Sequence, residues 1–167
     1  MRNRRANSLL EEKIKSLLVL KRIISRLKAK GKLIVFTNGC FDLLHYGHVK
    51  YLQEAKKKGD ILIVAVNSDA SVRRIKGDKR PLINEKDRLN VIAALESVDY
   101  AVLFNEDTPL RVIKLLKPDI LIKGADWNKT RVVGGNFVLS YGGRVVTLKL
   151  AKGRSTTNLI KKIAKAF

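Results

Sequence analysis

The 167-residue chain reads as an α/β protein built on a doubly wound parallel sheet with helices on both faces, and three observations carry that reading. Short β-branched and apolar runs recur along it: "LIVFT" at 33–37, "ILIVAV" at 61–66, "YAVLF" at 100–104, "DILIK" at 119–123 and "RVVTLKL" at 144–150. Helical periodicity fills the intervals, through Tyr51, Leu52 and Ala55 up to Gly59, then near 85–96 and near 108–116. No internal repeat or low-complexity linker interrupts the alternation, and 46% hydrophobic with 30% charged residues is the balance of a chain that folds around one core.

Ahead of the first strand run, Ser8-Leu9-Leu10-Glu11 fits a capping box, and Leu10, Ile14, Leu17, Leu20, Ile24 and Leu27 recur at helical spacing until Gly31. The expected organisation is therefore one long, basic, amphipathic helix over residues 1–31 and a single α/β domain over 32–167. Lys and Arg number 35 against 15 acids, a net charge of +20, and eleven of those cations fall in residues 1–32 beside two glutamates. Such a head could pack on the domain, pair with a second copy in a homodimer, or attract anions.

An excess of this size calls for an anionic partner: nucleic acid, a membrane surface or a phosphorylated small molecule. Ten aromatic residues, with no basic sheet interleaved with them, argue against a nucleic-acid-binding module. The N-terminal leucines are interrupted by Glu11, Glu12, Lys13, Lys15, Lys21 and Arg22, so no apolar run reaches the ~18 residues of a membrane span. With Cys40 as the single cysteine no intrachain disulfide can form, which suits the cytoplasm.

In a doubly wound sheet, ligands sit beyond the carboxyl ends of the strands, and the first strand-to-helix loop contributes. Here that loop is "TNGCFDLLHYGH", 37–48, which holds both histidines of the chain and the cysteine. It is neither a G-x-G-x-x-G fingerprint nor a P-loop, and "GADWNKT" at 124–130 has Asn128 where the second P-loop glycine would stand. A zinc site would need three or four ligands, and beyond Cys40, Asp42 and the two histidines there is no second Cys/His cluster. A cysteine nucleophile would need those same histidines as its base, against the simpler role of a small packing residue. The third option is an anion site. His45 and His48 at i and i+3 share one side of a first helical turn whose N–H groups point outward, with Gly47 leaving room between them.

"GCFDLLHYGH" resembles the signature of the nucleotidyltransferases of the cytidylyltransferase-like superfamily, with its H-x-G-H after the first strand. That superfamily also carries a late Ser/Thr cluster opening a helix, and "GRSTTNLI" at 153–160 stands in that place. "AVNSDASVRRIKGDKRPLI", "ALESVDYAVLF", "PDILIKGADW" and "GGRVV" are more specifically similar to the adenylyltransferases that make ADP-heptose from heptose 1-phosphate, stand-alone or as the second domain of a fused kinase. The glycerol-phosphate cytidylyltransferases carry Arg-Thr-Glu-Gly-Ile before their Ser-Thr-Thr. This chain reads Leu150-Ala151-Lys152-Gly153-Arg154, a departure that favours the heptose branch. Glycerol-phosphate-type cytidylyltransferases and FMN adenylyltransferases of the same superfamily remain alternatives.

The resemblance implies a Rossmann-like fold and adenylyl transfer from ATP, carrying Mg²⁺, to a sugar 1-phosphate, with release of pyrophosphate. It makes His45 and His48 the catalytic pair, binding the triphosphate and stabilising charge at the α-phosphate. It places Asn38, Gly39, Cys40, Phe41, Asp42 and Gly47 beside the nucleotide, with Lys123, Gly124 and Asp126 facing the nucleoside. Arg154, Ser155, Thr156 and Thr157 would meet its phosphates at the start of the last helix. Lys76, Lys79 and Arg80, in a loop that Gly77 and Pro81 mark as mobile, would meet phosphates of nucleotide or sugar. Arg88 would do the same or pair with Asp87 or Glu85. No metal ligand is expected from protein side chains, and a sugar kinase is the expected partner in the pathway.

Overall fold

Five parallel strands form the sheet: β1 (Ile34–Gly39), β2 (Ile61–Asn67), β3 (Tyr100–Phe104), β4 (Ile120–Gly124) and β5 (Arg144–Leu148), in the order β3-β2-β1-β4-β5. This is the doubly wound arrangement expected. The chain starts at the centre, winds outward through β2 and β3, then crosses to β4 and β5, so its direction of travel reverses between β1 and β4. The computed structural model describes residues 10–124, 132–149 and 156–166.

From Leu17 onward the helices are α1 (Leu17–Ala29), α2 (Tyr46–Lys56), α3 (Asp69–Lys76), α4 (Glu85–Ala94), α5 (Leu110–Leu116), α6 (Gly135–Ser140) and α7 (Thr156–Ala166). The strand runs are apolar throughout because both sheet faces are covered. Ile34, Phe36, Ile63, Ala65, Val102 and Leu121 turn to one core with Leu20 and Ile24 of α1 and Val112, Ile113 and Leu116 of α5. Val35, Leu62, Val64, Val66 and Ile122 turn to the other, against Tyr51, Leu52 and Ala55 of α2 and Ile92 and Ala93 of α4.

At the opposite end of the sheet from the loops that follow β1 and β4, aspartates preceding three strands close the ladder. Asp60, Asp99 and Asp119 accept from the backbone N–H of Leu33, Leu62 and Ile34 at 2.8, 2.6 and 2.8 Å. Lys28 of α1 adds an ion pair to Asp119 at 2.9 Å. Of the roles open to the N-terminal helix, packing on the domain is the one seen: it is joined to the sheet by charge as well as by Leu20 and Ile24, 0% and 2% exposed.

That helix is not continuous. Residues 10–13 are helical, then Ile14 forms a parallel bridge to Ala101 on edge strand β3, and Lys15 N–H donates to the Ala101 carbonyl at 3.1 Å. Ser16 starts a new helix, its hydroxyl accepting from Val19 N–H at 3.4 Å. The exposed edge of β3 competes locally with helix propagation and wins, since it offers backbone partners that helical spacing cannot reveal. Of the expected capping box, Ser8 lies outside the described residues. Ser16→Ala is therefore expected to destabilise the protein by about 1 kcal/mol, as loss of an N-cap does. In an unbroken helix the same substitution would stabilise, so the sign of the shift in a urea denaturation decides between the two.

Candidate active site

The loop after β1 takes a form that few sequences tolerate. Phe41 and Leu43 both have left-handed backbone, φ 49° and 59°, a conformation that costs a non-glycine residue about 1–3 kcal/mol each. The turn lays the Phe41 ring back over Gly39, where a Cβ would stand 3.1 Å from the ring. It also brings Phe41 edge-on to His48, centroids 5.4 Å apart.

His45 is the N-cap of α2, and its Nδ1 accepts from Gly47 N–H at 3.1 Å, which fixes the tautomer with the proton on Nε2. One helical turn on, the His48 ring stacks against it, centroids 3.9 Å apart and planes inclined by 21°. Burial, and the neighbouring His45, lower the His48 pKa from 6.5 to about 4, so the free site holds a neutral imidazole at physiological pH. Its Nδ1 is buried and has no hydrogen-bond partner among the described residues.

Asp42 anchors what surrounds the pair. Its side chain is 1% exposed and takes Arg80 Nε at 2.6 Å, Leu82 N–H at 3.0 Å and Ile83 N–H at 3.0 Å. Burial pushes its carboxyl up, but the two backbone N–H groups and the Arg80 guanidinium outweigh it and hold the pKa below the usual carboxylate range. The 77–83 segment, expected to be mobile, is therefore latched to the histidine loop through Arg80. Lys76, the last residue of α3, and Lys79 remain exposed on the latched segment. The Asp42 carbonyl accepts from Thr156 Oγ1 at 3.1 Å, so the first turn of α7 reaches the loop across 114 residues of sequence.

Between β1 and β4 the sheet opens. Their ladder pairs only Val35 with Ile120 and Phe36 with Leu121, although β1 stays paired to β2 through Gly39 and β4 to β5 through Gly124. The two strands part at the switch point, and Lys123 Nζ donates across the gap to Asn38 Oδ1. Asn38, Gly39, Lys123 and Gly124 thus rim one opening. Asp126, Arg154 and Ser155, and the side chain of Thr157, lie outside the described residues.

Arg88 departs from expectation. It is 2% exposed and donates to the carbonyls of Ile83, Cys40 and Asn67 and to Asp69 Oδ1, the first, third and fourth at 2.9, 2.8 and 2.8 Å. Its carboxylate partner is Asp69, not Glu85 or Asp87, and it joins the ends of β1 and β2, the latched segment and α3 from beneath. The farthest acceptor, Cys40, lies 48 residues from Arg88 in sequence, which is why proximity along the helix suggested the wrong carboxylates. Cys40 contributes its carbonyl to this network; burial pushes its thiol up, only partly countered by Lys76, Arg88 and Arg80, which suits a packing residue. Thr37 and Tyr51 were not singled out in the sequence, yet their hydroxyls meet at 2.7 Å beneath the loop. A lone Thr in the "LIVFT" run was the available signal.

No described helix is long and apolar enough to cross a membrane. Among known proteins, the chain is 59% identical to the bifunctional protein HldE of Geobacter metallireducens and 56% to that of Geobacter sulfurreducens, each over 157 residues. These matches cover 94% of this chain and 32% of the relative, so the chain spans about a third of the length of the curated relatives it matches. The crystal structure of a lipopolysaccharide core biosynthesis protein from Thermoplasma volcanium superposes with a TM-score of 0.61 at 34% identity, covering 74% of this chain and 100% of that one. Pantothenate synthetase from Thermus thermophilus, at 15% identity and a TM-score of 0.65 over 92% of this chain and 70% of its own, shares the fold. The family model described as cytidylyltransferase-like matches residues 36–162, from the middle of β1 into α7, and the chain belongs to that family.

Proposed function

We propose that the chain transfers the adenylyl group of ATP to a sugar 1-phosphate, heptose 1-phosphate, giving ADP-heptose and pyrophosphate. The observation that carries this reading is the meeting of the stacked His45–His48 pair with the start of α7, through Asp42, beside the opening between β1 and β4. The 34% identity to a lipopolysaccharide core biosynthesis protein supports a product destined for envelope glycan. The bifunctional relatives, of which this chain matches 32%, support a companion activity; a sugar kinase would supply the phosphorylated acceptor, in the cytoplasm.

In this reaction a phosphate oxygen of the sugar attacks the α-phosphorus in line, and the bond from that phosphorus to the bridging oxygen of pyrophosphate breaks. The attacking oxygen is already anionic near neutral pH, so no general base is required. Positioning and charge neutralisation carry the acceleration. His45 Nε2–H and the His48 ring would donate to the α-phosphoryl oxygens, and Lys76 and Lys79 would neutralise phosphates from the latched segment. Mg²⁺ would arrive on the polyphosphate of ATP, where it neutralises the departing pyrophosphate. The donor set fits that assignment, since Asp42, the carboxylate of the loop, is taken by Arg80 and two backbone N–H groups.

Assaying pyrophosphate release with ATP, CTP and GTP against heptose 1-phosphate, other sugar phosphates, glycerol 3-phosphate and FMN tests the assignment. Release from ATP with heptose 1-phosphate well above every other pair is expected, and a preference for CTP with glycerol 3-phosphate would refute it.

The neutral His48 also sets a pH dependence. A polyphosphate beside His48 favours the imidazolium and raises its pKa from about 4, so protons are taken up on binding between the free and bound values. ATP affinity is thus expected to rise as pH falls from 8 toward 6. Calorimetry in two buffers of different ionisation enthalpy reads the uptake directly.

A further inference from the structure

The opening between β1 and β4 is fastened by side chains where the ladder has stopped. Thr37, fully buried on β1, donates through Oγ1 to the Ile122 carbonyl at 3.2 Å, one residue past the last paired position of β4. That commits its only proton, so in the 2.7 Å contact with Tyr51 the phenol is the donor. Tyr51 is 9% exposed and lies on α2 three residues after His48, on an adjoining part of the helix surface. A directional chain, Tyr51 hydroxyl to Thr37 hydroxyl to Ile122 carbonyl, therefore ties the histidine helix to both strands at the switch point.

The surroundings are apolar: Val35, Leu52, Val64 and Ile122 belong to the same core cluster as Tyr51. Buried hydroxyls add little net stability over apolar groups of the same shape, whereas their geometry is far more restrictive. We infer that Thr37 and Tyr51 are positioning residues, which set the depth and rotation of α2 against the β1–β4 opening and so hold the His45–His48 pair at the phosphate. This rests on the reading of that pair as a phosphate site.

Thr37→Val keeps the side-chain shape and removes the link. It is expected to lower kcat for pyrophosphate release about 10²-fold, the effect of misplacing a reacting group by ~1 Å, with KM for ATP changed less than about threefold. Tyr51→Phe, which leaves the Thr37–Ile122 bond in place, should fall between Thr37→Val and the parent, and Thr37→Ser should restore turnover. The second readout needs no turnover. With only two histidines in the chain, the imidazole ¹⁵N resonances report both rings, and in Thr37→Val the His48 titration should move from about 4 back toward 6.5.

Both readouts must move together; a change in one alone, parent-like values of both, or a rise in KM at constant kcat overturns the inference. Should Thr37→Val fail to fold, Tyr51→Phe, which deletes one oxygen, is judged by the same two criteria. If the parent releases no pyrophosphate with any acceptor, the proposed reaction fails, and the imidazole titrations alone still decide the positioning role.

Discussion

His48→Ala is expected to lower turnover by about 10²–10³, or ~2.7–4 kcal/mol of transition-state stabilisation, while the fold survives. The ring is partly buried, stacked on His45 and edge-on to Phe41, but its Nδ1 bonds to nothing among the described residues, so its removal breaks no hydrogen bond there. His45→Ala should look different. Its Nδ1 caps α2, and losing an N-cap costs about 0.5–2 kcal/mol of stability in addition to the lost donor. His45→Asn separates the two roles, because asparagine caps a helix well yet cannot reach as far: stability should return while turnover stays low. Thermal melts beside pyrophosphate-release kinetics give the comparison. Turnover of His48→Ala within tenfold of the parent would remove the histidine from the transition state.

The parts of this site that could be read from sequence are those fixed by local chemistry. "YAVLF" matches β3 residue for residue, and the other strands start and stop within two residues of their apolar runs, because a doubly covered sheet demands unbroken hydrophobicity. That His45 and His48 would lie together was legible because they are three residues apart across Gly47, and that one-turn spacing is what stacks the rings. Helix α3 was hidden: "DASVRRIK" has three cations in eight residues and buries only Ser71 and Val72, so nothing apolar announces it except the Ser68 cap. The break at Ile14 was hidden for another reason. Its bridge partner, Ala101, lies on a strand 87 residues away, and spacing within a helix says nothing about a distant sheet edge. Asp42 fell between these cases: its place in the loop was legible, but its grip on Arg80, Leu82 and Ile83 exists only once the chain has folded.

Arg88→Met is expected to destabilise the protein by about 3–5 kcal/mol, the cost of removing one member of a buried, hydrogen-bonded ion pair. Methionine fills much of the volume, so the loss comes from polar groups left behind: Asp69 Oδ1 and the carbonyls of Cys40, Ile83 and Asn67, which the guanidinium served together. Lysine cannot replace it, since one ammonium has three donors and no planar fork to reach four acceptors on separate segments. Arg88→Lys should therefore recover less than half of the lost stability. Two of the four acceptors, Cys40 and Ile83, flank Asp42 and its latch, so turnover should fall along with stability, through the loop and not through a lost phosphate contact. Urea denaturation of the free protein separates the explanations. A midpoint that falls in the absence of nucleotide is the signature of a buried strut, whereas a variant as stable as the parent with weakened ATP binding would return Arg88 to the phosphates.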